Sequence, residues 1–433
     1  MNSTKRFAAL LSVVAIIAMA CGGGASTAPT TAPASAEPTA APTELAFPAG
    51  DFALTLWTKE GEGDGSLQYV TSLTDAFTAL HSNVTFTVVN KDVEALREDF
   101  QNTGLGGDSP ELLWTVSDHV GPFTAADLIL PLGDLIDKAS FVPAAADAVT
   151  VGDTLWGAPV SFGNQLMLYW NKDLAGETAP ADSAAWVAAA KTLTTGDQYG
   201  IVFNQTESFW LVPFLGGFGG KVFDTDGVTP TLDTPAMTGA LQFLYDLKYT
   251  DKVTPAEADY NVADGLFKDG KAAFIINGDW TLGGYAAADA LGDKLGVGPL
   301  PLITGHEDPH PYIAGAFLMA SKAVGDDPDL KTVVSEFMAF ATSKDQQIKM
   351  VETLKRLPGN AEAIADPIVT GDALLNGAAE AAKRGTPQPT NLEMRCVFDS
   401  MTAGVRDLFT GNSDVNGIAA TMQQTAVTCI SQL

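Results

Sequence analysis

The stretch ALTLWTKEGEGDGSLQYVTSLTDAFTALHSNVTFTVV, residues 53–89, decides the fold class. It opens on Ala53 to Trp57 (ALTLW) and closes on Val84 to Val89 (VTFTVV), two runs of strand length rich in β-branched and aromatic side chains. Between them Leu67, Val70, Leu73, Phe77 and Leu80 recur at three- and four-residue spacing, which draws one apolar face along a helix. Strand, helix and strand in that order imply a parallel sheet with helices on its faces. Further along, Glu111 to Val116 (ELLWTV) reads as a third strand. The pattern returns much later, where Met237, Leu241, Leu244 and Leu247 mark a helix and Ala272 to Ile276 (AAFII) a strand. The expected fold class is therefore α/β, in two lobes. Ligands of open parallel sheets sit beyond the carboxyl ends of the strands, so the site is expected in the cleft between the lobes.

Length and charge agree with this reading. A chain of 433 residues exceeds what one hydrophobic core organises, and no repeat at a fixed period of 20 to 50 residues points to a solenoid or propeller. The net charge of −28, from 52 acidic and 24 basic side chains, repels phosphate backbones and excludes a nucleic-acid partner. Most of those carboxylates are read as solvated surface.

The start of the chain concerns location. Lys5 and Arg6 precede the apolar stretch Phe7 to Ala20, which is too short to span a bilayer comfortably and reads as a signal peptide over residues 1–20. It ends in Ala18-Met19-Ala20-Cys21-Gly22, which resembles the lipobox of bacterial lipoproteins and implies a lipid on Cys21. From there to residue 44 the composition is Gly, Ala, Ser, Thr, Pro and a few Glu, which cannot bury a core and reads as a flexible tether. The expected location is the extracytoplasmic face of a bacterial cell membrane.

Enzymatic motifs fail on inspection. His306-Glu307-Asp308-Pro309-His310 spells the zinc-protease string, but Pro309 and Pro311 block the helix that would bring both imidazoles to one face. No G-x-S-x-G elbow is present, and carboxylate pairs can always be nominated from 52 acids. No catalytic residue, metal or cofactor is expected. Cys396 and Cys429, in an oxidising compartment, are expected to form a disulfide. The rings Trp114, Trp156, Trp170, Trp210, Trp280, Phe209 and Phe398 lie near strand ends and turns. Any one of them is more often core than contact, yet rings suit the apolar face of a pyranose, whose hydroxyls Asp118, Asn164 and Glu207 could bond.

Three landmarks carry a family resemblance: Ser109 to Trp114 (SPELLW), Tyr169 to Leu174 (YWNKDL) and Phe267 to Trp280 (FKDGKAAFIINGDW). They are similar, in order and spacing, to G-P-D-I-I-F, I-Y-N-K-D-L and F-x-x-G-x-x-A-M-x-I-N-G-P-W of the maltose- and maltodextrin-binding branch of the ABC-transporter solute-binding proteins. The resemblance runs along residues 50 to 430. It implies a two-lobed periplasmic-binding-protein-like fold with a multi-crossing hinge. The lobes are expected at residues 45–163 with 316–366 and 164–315 with 367–433, with crossings near 162–164, 312–315 and 366–368.

The resemblance also implies roles. Trp280 would stack under a sugar. Phe203 to Trp210 (FNQTESFW) is similar to F-N-x-Q-E-P-Y-F, so Glu207 would bond hydroxyls and Phe209 would stack. Glu393 to Asp399 (EMRCVFD) resembles E-M-G-A-V-W-D and makes Phe398 the counterpart of a second stacking ring. Asn171 would cap a helix. Thr115 to His119 stands where the family reads W-A-H-D-R, so only Asp118 carries over, and Asn164 replaces a glutamate. Lys59 and Glu60, after Trp57, are candidate sugar contacts. The implied ligand is a neutral oligosaccharide, maltose or maltodextrin, delivered by a monomer to a membrane permease. Trehalose, sucrose or a cyclodextrin is the alternative within the binding class, and an extracellular glycosidase the alternative outside it.

Overall fold

The computed structural model describes residues 47–63, 65–104 and 109–433. The signal segment, Cys21 and the tether lie outside the described residues. The elements that position the site are, in chain order, β1 (Phe52–Thr58), α1 (Ser66–Leu80), β2 (Val84–Asn90), α2 (Val93–Gly104), β3 (Leu112–Thr115), α3 (Val120–Ala125), β4 (Ala158–Pro159), β5 (Leu166–Asn171), β6 (Tyr199–Val202), α4 (Tyr260–Lys268), β7 (Ala272–Gly278), β8 (Leu295–Gly298), β9 (Phe317–Ala320), α5 (Glu393–Phe409) and α6 (Val415–Ile430).

The first sheet has the order β2-β1-β3-β9-β4. β1 pairs in parallel with β2, with Leu56 opposite Val88, and with β3, with Trp57 opposite Leu113. This is the arrangement expected for a strand-helix-strand unit. On α1, Val70, Leu73 and Phe77 are buried, but Leu80 at its end is 65% exposed, so the apolar face stops one turn before the periodicity does. β9 joins antiparallel, with Leu318 opposite Trp114. It belongs to the chain returning from the second lobe, and a returning strand enters the sheet from the opposite side.

The second sheet, β8-β5-β7-β6, is mixed and not all-parallel as the βαβ pattern suggests. β6 runs parallel to β7, whereas β5 is antiparallel to both β7 and β8. β5 follows directly from a crossing between lobes, so its direction is set by the crossing and not by a preceding helix. β7 is buried along its whole length, which explains its unbroken apolar run.

Separate cores underlie the two sheets. Phe77, Phe100, Trp114 and Phe317 anchor the first, and Trp186, Phe203, Phe274 and Val397 a second. The chain passes between them where Gly163 pairs with Ala314, and where Phe162 N–H donates to the Leu357 carbonyl beside the Ser161–Pro358 bridge. Asn171 ends β5 and caps the next turn, its Oδ1 accepting from Asp173 N–H at 3.0 Å.

Candidate functional site

The wall of the cleft on the second lobe is aromatic. β7 runs out at Gly278 into a tight turn carrying Trp280, which is half-buried. A Cβ added at Gly278 would lie 2.0 Å from the Trp280 ring, so the indole folds back over the strand end only because that residue has no side chain. Its Nε1 donates to the Tyr260 hydroxyl at 3.0 Å, at the start of α4. β6 runs into the Asn204–Trp210 segment, where neighbours divide. Trp210 turns inward, 4% exposed, and donates to the Ile276 carbonyl, while Phe209 stays half-buried, 6.2 Å from Trp280 between ring centroids. Phe209 is 6.5 Å from Tyr312, and Tyr312 is 6.2 Å from Phe398. Trp280, Phe209, Tyr312 and Phe398 thus form one continuous row. Trp114 and Trp170 are core, and Trp156 packs half-buried against the first core.

Carboxylates accompany the rings. Glu207, exposed beside Phe209, accepts from Asn204 Nδ2 at 2.9 Å. Partial burial raises its pKa, with Asp92 and Glu94 of the first lobe adding to the rise. Asp118 is half-buried in the turn after β3, and burial together with Glu94 pushes it up to about 6. Asp118 and Phe398, from opposite lobes, line the same crevice.

Two sequence candidates prove to be interior. Glu60 is 3% exposed, and its carboxylate accepts from Lys59 Nζ at 2.9 Å, Trp114 Nε1 at 3.1 Å and Arg356 Nη1 at 2.8 Å. Burial raises its pKa, but the charges of Arg356 and Lys59 outweigh that and hold it at about 2. Glu60 is a buried charge hub that orients Lys59, not a group presented to a ligand. His119, where the resembling motif has arginine, is fully buried, bonds Thr115 Oγ1 through Nδ1 at 2.7 Å, and is pushed down to about 3 by burial. Thr115 and His119 thus pair with each other inside the first lobe.

At the crossing, Asn164 takes a left-handed backbone, φ 56°, and its N–H bonds the Asp279 carboxylate. Asp279 is 4% exposed, and burial pushes it up to about 6 against the opposing charge of Arg356. Sequence reading missed Asp279, although it stands where the resembling motif has proline. Tyr260 and Tyr312 carried no motif, and Arg356 lies in a loop. His306 packs on Phe218 and His310 Nδ1 on the Arg384 carbonyl, in backbone that is not helical. Among the described residues no group of three metal-ligating side chains converges. No described helix is long and apolar enough to cross a membrane.

The comparisons with known proteins agree with this geometry. The family model described as bacterial extracellular solute-binding protein matches residues 72–377. The maltotriose-binding protein of Pyrococcus abyssi is 25% identical over 329 residues, covering 73% of this chain and 70% of its own. The galactooligosaccharide-binding protein of Bacillus subtilis is 25% identical over 374 residues, covering 83% and 85%. The maltose/maltodextrin-binding domain of Bdellovibrio bacteriovorus, solved bound to maltotriose, matches with a TM-score of 0.82 at 30% identity, over 88% of this chain and 100% of its own. With the family model matched over residues 72–377 and the two-lobed fold shared along the whole length of that domain, this chain belongs to the bacterial extracellular solute-binding proteins.

Proposed function

We propose that this protein binds a maltose-type oligosaccharide between its lobes and, tethered through a lipid on Cys21, delivers it to an ABC importer. The observation that carries the reading is the row Trp280, Phe209, Tyr312 and Phe398 lying beside the carboxylates Glu207 and Asp118. Successive pyranose faces stack on the rings, and their hydroxyls donate to the acids. Because Asp118 lies on the first lobe and Glu207 with the rings on the second, a ligand touching both favours the closed form, which a permease can recognise. Charge supports a neutral ligand: Arg97 and Arg395 pair with Glu94, and Lys59 and Arg356 with Glu60, so the cations around the cleft already have protein partners. Lys59, mostly buried, is held by Glu60, and Asn164 acts through Asp279 at the hinge.

A thermal-shift panel tests this. Maltotriose and maltotetraose are expected to raise the melting temperature, as a ligand of the native state must. Maltose, trehalose, sucrose, β-cyclodextrin and galacto-oligosaccharides complete the panel, the last because a relative of equal identity is named for them. No shift with any malto-oligosaccharide would remove the reading. Reducing-end release from maltotetraose, abolished by a cleft carboxylate substitution, would replace it with a glycosidase.

A further inference from the structure

The loop that presents Glu207 and Phe209 is fixed from behind by one face of α5. Among residues 206–209 only Ser208 is buried, 1% exposed, so the acid and the ring flank a residue that is turned inward. Ser208 Oγ donates to the Phe398 carbonyl at 3.3 Å and lies 2.9 Å from Thr402 Oγ1. With its single proton used on the carbonyl, Ser208 accepts from the Thr402 hydroxyl. The Ser208 N–H in turn donates to Thr402 Oγ1 at 3.4 Å, so the two residues bond each other in both directions. One turn further along α5, Arg406 Nε donates to the Thr206 carbonyl at 3.0 Å. Phe398, Thr402 and Arg406 follow at four-residue spacing and share one helix face, which grips the loop on either side of Glu207. Ser208 stands where the resembling motif has proline. Proline holds its own φ, whereas serine needs something outside itself to stay in place. The backbone would accept the proline: Glu207 is extended, φ −130° and ψ 140°, and Ser208 opens the single helical turn Ser208–Trp210.

We propose that Thr402 is a positioning residue for the sugar: through Ser208 it sets where Phe209 and Glu207 stand relative to α5, and so governs affinity without touching the ligand. The inference rests on the oligosaccharide reading above. The hydroxyl pair supplies by hydrogen bonds the rigidity that a proline ring would supply covalently. The ends of the loop are held separately, Gln205 N–H by the Ala258 carbonyl and Trp210 Nε1 by the Ile276 carbonyl. Loss of the clasp therefore loosens the middle of the loop, where the sugar contacts are, and leaves the lobe folded.

Titration calorimetry with maltotriose and maltotetraose tests this on the wild type, Thr402→Val, Thr402→Ser, Ser208→Ala and the double variant Ser208→Pro/Thr402→Val, alongside the melting temperature of each protein without sugar. Thr402→Val keeps the shape and deletes the hydroxyl, and is expected to weaken both sugars about tenfold. Its sugar-free melting temperature should stay within about 2 °C of the wild type. Ser208→Ala should lose as much affinity. Thr402→Ser retains the hydroxyl and should bind within about twofold of the wild type. In the double variant proline restores the rigidity that Thr402 no longer provides, so affinity is expected to recover to within about threefold of the wild type. Circular dichroism checks each fold, and Ser208→Ala with Thr402→Ser carry the test if a valine or proline variant does not fold. Thr402→Val and Ser208→Ala binding like the wild type, a loss that proline does not repair, or a large fall in sugar-free melting temperature would overturn the positioning role alone. A wild type that binds neither sugar removes the oligosaccharide reading and the positioning role with it.

Discussion

Trp280 donates through Nε1 to the Tyr260 hydroxyl at 3.0 Å, and that bond fixes the plane of the indole over Gly278. A ring anchored at its polar edge keeps one orientation, so the ring's entropy is lost on folding and not on binding. Phe209 sits tilted against it at 46°, extending the surface toward Tyr312.

Trp280→Ala removes most of the apolar contact with a pyranose, and affinity is expected to fall by about 2 kcal/mol or more for every sugar bound, as for aromatic anchors elsewhere. Tyr260→Phe keeps the indole and deletes only its anchor, with an expected loss of about 1 kcal/mol. Calorimetry separates the two. Equal losses would mean that Tyr260 itself touches the sugar.

Asp279 makes stability depend on pH. Its carboxyl is pushed from 3.8 up to about 6, so between pH 4 and 6 the folded protein holds a proton that the unfolded chain has lost. Stability therefore falls as pH rises through that window, by up to roughly 3 kcal/mol from this group. Asp118 contributes with the same sign. Glu60 acts oppositely: held at about 2 against an ordinary 4.5, it stabilises above that ordinary value, and the gain is lost as pH falls toward 2. Melting temperatures are expected to peak near pH 4 to 5 and decline toward neutrality. Asp279→Asn should flatten the decline, and an unchanged slope would show that the descent comes from other carboxylates.

These residues also mark where sequence reading ends. β1, β2, β3 and β7 are legible because they are written as short runs of apolar and β-branched residues, even in β2, where only Val84 is buried. Trp280, Phe209 and Glu207 are legible because motif and turn chemistry coincide at them. Glu60 is not, since Arg356, which turns it from a surface acid into a buried hub, stands 296 residues away. Tyr312 joins the ring row only because a crossing between lobes brings it there, and no local pattern encodes a crossing. The direction of β5 is hidden for the same reason.

Cys396 and Cys429 are bonded, with Cα atoms 5.6 Å apart, and tie the first turn of α5 to the end of α6 across a separation of 33 residues. Closing a loop of that length restricts the unfolded chain by about 4 kcal/mol. Cys429 is half-buried and Cys396 is 2% exposed, so a reductant enters from the α6 side. Reduction or the double serine variant should lower the melting temperature by several degrees. Because Phe398 follows in the next turn of α5, sugar affinity should fall as well. An unchanged melting temperature with both thiols free would show that packing of α5 on α6 alone holds that turn.

Asp118 and Glu207 should fail differently from the rings. Asn204 occupies one oxygen of Glu207, which fixes the carboxylate beside Phe209, while Asp118 meets Phe398 across the crevice from the other lobe. In the proposed complex each acid would face a particular edge of a stacked sugar and accept from hydroxyls of one stereochemistry. Glu207→Gln and Asp118→Asn keep the shape and remove the charge, at an expected cost of about 1.5 to 3 kcal/mol for the sugars that present the matching hydroxyl. Sugars that lack it should lose little. The ratio of affinities between maltotriose and a galacto-oligosaccharide is therefore expected to move in these variants and to stay constant in Trp280→Ala. Calorimetry on the three proteins with both sugars reads this directly, and parallel losses in all three would mean that the carboxylates shape the cleft without selecting what enters it.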